Sequence, residues 1–195
     1  VGIPLLAGII AWRTLGKDLR FFWSIFLLGV IAECIVYYTR SNGIHNVWLF
    51  NVFFPVEFCV FMYTLSLWVA ESWRKWFRGS ILIFLVFYFL LQWWVYDPGQ
   101  LNTAGKYIQS TLLLVGALGV LVHLLPQFRH PMSVDPRFWV LAGMLIYFGG
   151  TAFVFLAGQL YIDGKLPGVW IIHSVCNISA NLMFGAGFIY ARVTP

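Results

Sequence analysis

Charge is what this sequence has least of. Of its 195 residues only 10% are Asp, Glu, Lys or Arg, against 61% hydrophobic and 19% aromatic. A soluble domain carries about a quarter charged residues, so there is too little polar surface here to wrap a core in water. The mean hydropathy of +0.84 points the same way. Cysteine is scarce too. Cys34, Cys59 and Cys176 lie inside apolar segments and none forms a CxxC pair, which argues against a disulfide framework, a zinc knuckle or a thiol–quinone oxidoreductase and leaves them as small packing residues. Ten-residue stretches of alternating polarity, the mark of a membrane β-barrel, are missing.

Other absences narrow the chemistry. A retinal protein needs a Schiff-base lysine in a late span, whereas Lys17, Lys75, Lys106 and Lys165 all read as loop or span-end residues. No arginine lies within a span, as a voltage sensor would require. His123 and His130 fall toward one membrane face and His45 and His173 toward the other, so no set of ligands at one depth suggests a metal centre. Glycine-rich phosphate loops and Ser-His-Asp arrangements are absent, and a single proline-broken span is fewer than the paired breaks of a secondary transporter. No catalysis, cofactor or metal is expected. The net charge of +5 sits in particular loops and reads as a topogenic signal, not as a nucleic-acid surface.

What the sequence does have is apolar runs of the length a bilayer demands, about 18 residues or more for a hydrocarbon core of about 30 Å. They predict an all-α polytopic transmembrane bundle of about seven helices, one domain over 1–195. The spans read as about 1–12 (partial), 20–39, 46–70, 78–96, 106–126, 137–160 and 168–192, separated by punctuators such as Ser41-Asn42-Gly43, Asp97-Pro98-Gly99 and Asp163-Gly164-Lys165. The first segment is only half a span and is preceded by neither an initiator Met nor a basic region, so a longer N-terminus is expected. Alternate loops and the C-terminal end hold Arg13, Lys17, Arg20, Arg74, Lys75, Arg78, Arg129, Arg137 and Arg192; the others hold Arg40, Lys106 and Lys165. Nine basic residues against three place the N-terminus outside and the C-terminus in the cytoplasm of a bacterial inner membrane. Aromatic pairs near span ends, Trp73/Trp76 and Trp93/Trp94 among them, match an interfacial belt.

Ionisable groups inside lipid cost several kcal/mol even on mild scales, so each demands a reason. Glu33 in the second span and Glu57 in the third qualify, either as a ligand site or as structural carboxyls that hold helices together. In the third span Pro55 cannot donate to the carbonyl of Asn51, which predicts a kink with Asn51 and Glu57 on either side of it. The seventh span carries His173, Asn177 and Asn181 in steps of four, continuing to Gly185, and so a polar-and-small stripe along one helix face. Such a stripe glues helices as readily as it binds anything. Depth places Glu33, Asn51, Gln109, His173 and Asn177 together in the outer half. The expectation is one outward polar pocket of Glu33, Asn51, Glu57, Gln109, His173, Asn177 and Asn181, with Tyr37, Tyr147 and Thr151 completing its wall.

Several of these motifs carry a resemblance. Glu33, the run Asn46-x-x-Leu49-x-Asn51-x-x-x-x-x-Glu57, Asp135-Pro136-Arg137-Phe138-Trp139, Leu145 to Thr151, and Trp170 to Asn177 look like those of a bacterial family of uncharacterised seven-helix membrane proteins similar to the membrane sensor domains of histidine kinases. The resemblance spans almost the whole chain and implies a sensory role. It implies as partners the membrane lipid and a partner membrane protein or histidine kinase; no kinase region is present in this sequence, so the output is expected from such a partner or from a missing segment. The resulting expectation is a receptor-like module with a small-molecule ligand. An accessory or scaffold subunit of a larger membrane complex, or a small-solute or proton transporter using the glutamates, are the alternatives.

Overall fold

The computed structural model describes residues 1–97, 99–127, 131–162 and 168–193, with side chains described except at 158–162 and 193. Arg129, His130, Pro98 and the Asp163-Gly164-Lys165 punctuator fall outside the described residues. The described chain forms seven α-helices and two short 3-10 turns, with no strand among the described residues. The helices are α1 (Gly2–Ala11), α2 (Lys17–Ser41), α3 (Val47–Leu67), α4 (Glu71–Trp94), α5 (Thr103–Leu124), α6 (Pro136–Ile162) and α7 (Val169–Val193). Six of them, α2 to α7, are long and apolar enough to cross a membrane, and α1 is a shorter apolar helix. In hydrocarbon no water is available to backbone amides, so each span must satisfy its own hydrogen bonds, and the helix is how a single segment does it.

Two boundaries differ from the expected ones in a way that matters. α4 starts at Glu71, seven residues earlier than the apolar run, because Arg74, Lys75 and Arg78 continue the helix and do not form a loop. Arg74 Nε donates to the Ser66 carbonyl at 3.2 Å, and the Arg78 guanidinium lies 5.3 Å from the Tyr63 ring, so these side chains anchor α4 to the end of α3. α5 starts at Thr103: the Asn102 side chain accepts from the Gly105 amide at 2.9 Å and caps the first turn. Lys106 therefore sits inside the helix, one turn past its start, where the sequence suggested a loop.

The bundle is sewn together from two kinds of contact. Around Phe22 an aromatic knot joins three helices: Phe22 packs edge-on against Phe61 at 5.2 Å and Phe184 at 5.4 Å between centroids, and Phe26 lies 5.3 Å from Phe184. Such pairs contribute about 0.5–1.5 kcal/mol each beyond area burial. Against α7 the packing relies on missing side chains. A Cβ built on Gly150 would lie 2.6 Å from Cys176 Cβ, and one on Gly143 would lie 2.6 Å from the Phe184 ring, so α6 and α7 approach more closely than alanines at those positions would permit. Gly185, the end of the stripe read from the sequence, faces Ile3 and Ala7 of α1. This is the small-residue packing by which membrane helices associate without a hydrophobic driving force. α4 contrasts with the rest: it buries only Phe84 and Tyr88.

Candidate functional site

Proline and asparagine organise the lower approach to the site. α3 runs as one helix from Val47 to Leu67 with Pro55 inside it and buried. Asn51, one turn before Pro55, does not line the cavity that adjoins Glu57. Its Nδ2 donates to the Gln100 carbonyl at 2.9 Å and its Oδ1 accepts from the Asn102 amide at 3.1 Å. Asn51 thus holds the α4–α5 connection against α3, and that connection in turn fixes where α5 begins. The expectation that Asn51 lines a ligand pocket is corrected: both ends of its amide are committed to backbone.

Six residues further along α3, Glu57 is 4% exposed. Its Oε2 accepts from Lys106 Nζ at 2.5 Å and from Gln109 Nε2 at 2.7 Å, both from α5. Its Oε1 accepts a longer bond, 3.3 Å, from the Tyr147 hydroxyl of α6. Lys106 is 3% exposed and its ammonium also lies 4.2 Å from the centroid of the Phe54 ring, a cation–π contact. The group ties α3, α5 and α6 through one carboxylate. Lys106, a loop or span-end residue by sequence, stands in the first turn of α5, buried, as the counter-charge of Glu57. The signal that was available is spacing: Lys106 and Gln109 lie three apart, on one face of a helix.

A cavity of about 90 Å³ adjoins this group. Its polar wall is Glu57, Tyr147, Asn177 and Asn181, and aromatic side chains of Phe26, Phe53, Phe61 and Phe184 form much of the rest. Lys106 and Gln109, which hold Oε2, do not line it, whereas Tyr147, bonded to Oε1, does. The Oε1 side of the carboxylate therefore faces the cavity. On α7 the step of four works as the sequence suggested: Asn181 Nδ2 donates to the Asn177 carbonyl at 2.8 Å and to Asn177 Oδ1 at 2.7 Å. That leaves Asn181 Oδ1 and Asn177 Nδ2 without a partner among the described residues.

The structure separates the remaining expected members from this cavity. Glu33 is exposed on α2, and Tyr37 is 77% exposed. Both belong to the second half of α2, where no residue between Gly29 and Thr39 is fully buried. The expected five-span pocket fails there because an apolar helix with no clear polar face does not reveal in sequence which side looks inward. Thr151 is buried but turns its hydroxyl back to the Tyr147 carbonyl at 2.8 Å, supporting the helix that presents Tyr147. His173 is half-buried, stacked edge-on to Trp170 at 6.1 Å and within electrostatic reach of Lys106, yet it does not line the cavity. Gln109 belongs to the carboxylate group but does not line the cavity, and its buried Oε1 has no partner among the described residues.

Among the described residues no three His, Cys, Asp or Glu side chains converge to hold a metal ion. The arrangement suits binding: a carboxylate neutralised on one side, partly open on the other, and set against amides and aromatic rings. No family model, curated protein or solved structure matches the chain.

Proposed function

We propose that the chain is a non-enzymatic, receptor-like module of a bacterial inner membrane, N-terminus outside and C-terminus cytoplasmic, that binds a small ligand beside Glu57 and signals through a partner membrane protein such as a histidine kinase. One observation carries the reading: the cavity opens onto the same carboxylate that ties α3 to α5 and α6. A ligand that takes up Glu57 Oε1 competes with Tyr147 and changes the balance of the group on Oε2. Coupling needs differential affinity for two arrangements of a bistable element, and a carboxylate shared among three helices supplies one. The resemblance of the motifs around Glu57 and Asn177 to kinase sensor domains supports the same reading.

The test is to extract the protein in native lipid particles and identify retained small molecules by mass spectrometry. The expected result is a molecule present with the wild type and lost with Asn181→Leu. Identical contents in both preparations would overturn the receptor reading.

A second reading has its own observation. Glu33 is exposed in the span of α2, with Cys34, Tyr37 and Tyr38 exposed beside it, and an uncovered carboxylate is costly against lipid. That favours an accessory or scaffold subunit whose α2 is covered by another membrane protein. The transporter alternative draws less support, because Glu57 is already held by Lys106 and Gln109.

A further inference from the structure

The receptor reading leaves the ligand open, and the charge and hydrogen-bond inventory of the cavity narrows it. Resting on that reading, we infer that the cavity selects a small neutral molecule with a hydrogen-bond donor head and an apolar body, a short alcohol or primary amide, over any ion.

Size comes first. At about 90 Å³ the cavity is smaller than the roughly 150 Å³ apolar cavity that accepts a benzene ring, so the part of a ligand seated in it has only a few heavy atoms. Charge comes second. Glu57 is balanced by Lys106 at 2.5 Å, and among the described residues no other Lys, Arg, Asp or Glu side chain lines the cavity. An anion would approach the Oε1 side of a carboxylate whose cation stands on the Oε2 side. A cation would leave two positive charges on one carboxylate in a low-dielectric interior, where an uncompensated charge is costly. A neutral molecule meets neither cost.

The polar atoms then set its orientation. Glu57 Oε1 has only the 3.3 Å bond from Tyr147, and Asn181 Oδ1 has none among the described residues. Acceptors thus outnumber the one uncommitted donor, Asn177 Nδ2. A hydroxyl donates to Oε1 or Oδ1 and can accept from Nδ2; a primary amide does the same with two donors. The apolar body lies against Phe26, Phe53 and Phe61.

The experiment compares 1-propanol, propylammonium and propionate as probes by saturation-transfer NMR on the protein in nanodiscs. The cavity-filling variant Ile25→Trp subtracts contacts with lipid. Asn181→Leu, which keeps the side-chain size and removes the acceptor, is the polar control, and circular dichroism confirms folding of both. The expected result is transfer to 1-propanol that Ile25→Trp abolishes and Asn181→Leu weakens about fivefold or more, the worth of one net hydrogen bond of about 1 kcal/mol. The ions should neither show cavity-dependent transfer nor compete. Cavity-dependent transfer to an ion in preference to 1-propanol would overturn the assignment of ligand class while leaving the receptor reading in place. No cavity-dependent transfer from any probe would overturn both.

Discussion

Removing Lys106 tests the central group most directly. Lys106→Met keeps the length and apolar character of the side chain and deletes the charge. Glu57 then retains Gln109 at 2.7 Å and Tyr147 at 3.3 Å but loses its cation, and the side chains of Lys106 and Glu57 are only 4% and 5% exposed, so water replaces the ammonium poorly. Breaking a buried pair from one side costs about 3–5 kcal/mol, because it strands a charge. Glu57→Leu strands the opposite charge and orphans the Gln109 amide and Tyr147 hydroxyl as well, so it should cost at least as much. The double variant Glu57→Leu/Lys106→Met strands no charge. Its cost should fall short of the sum of the singles by at least about 2 kcal/mol, the size of coupling that contacting residues show. Reversible unfolding in mixed micelles, followed by circular dichroism across an SDS titration, gives all four free energies. Additivity within about 0.5 kcal/mol would refute the claim that Glu57 and Lys106 stabilise one another.

The other predictions use different parts of the bundle. Glu33→Leu should leave the isolated chain's unfolding free energy within about 0.5 kcal/mol of wild type, since Glu33 is exposed; a loss comparable to that of Glu57→Leu would show that α2 buries it. Asn51→Leu orphans the Gln100 carbonyl and the Asn102 amide and should cost about 1–3 kcal/mol, with hydrogen exchange at Asn102 accelerating before exchange elsewhere in α5. Gly150→Ala drives a methyl to 2.6 Å from Cys176 Cβ and should destabilise by about 1–3 kcal/mol; Cys176→Gly in the same chain should restore part of it, and failure to do so would place the strain elsewhere.

How much of this was legible in the residues differs by level. The spans follow from length and hydropathy, because a bilayer imposes both. The pairing of Asn177 with Asn181 follows from a step of four, which any helix turns into neighbours. Azimuth is another matter. Glu33 and Glu57 look alike in sequence, each a lone carboxylate in an apolar run, yet one faces away from the bundle and the other its centre. Lys106 was hidden by its place at the seam of a polar loop and an apolar run; its partner lies 49 residues away on another helix. Asn51 was read as a binding group because an amide in a span demands a partner, and the demand was met by the backbone of a connection no local pattern links to it.

That 49-residue separation has a consequence for how the chain enters its membrane. Helices reach the bilayer in the order they are synthesised, and α3 arrives carrying Glu57 while Lys106 is still unmade. At about 5–20 residues per second the carboxylate waits on the order of seconds for its counter-charge, with α4 emerging in between. Over that interval α3 is apolar enough to cross by itself, but its carboxylate adds a cost of several kcal/mol that lasts until a partner arrives. The salt bridge that ties the finished bundle can therefore form only once α3, α4 and α5 have all been made, which makes it a late contact of assembly and not an early one.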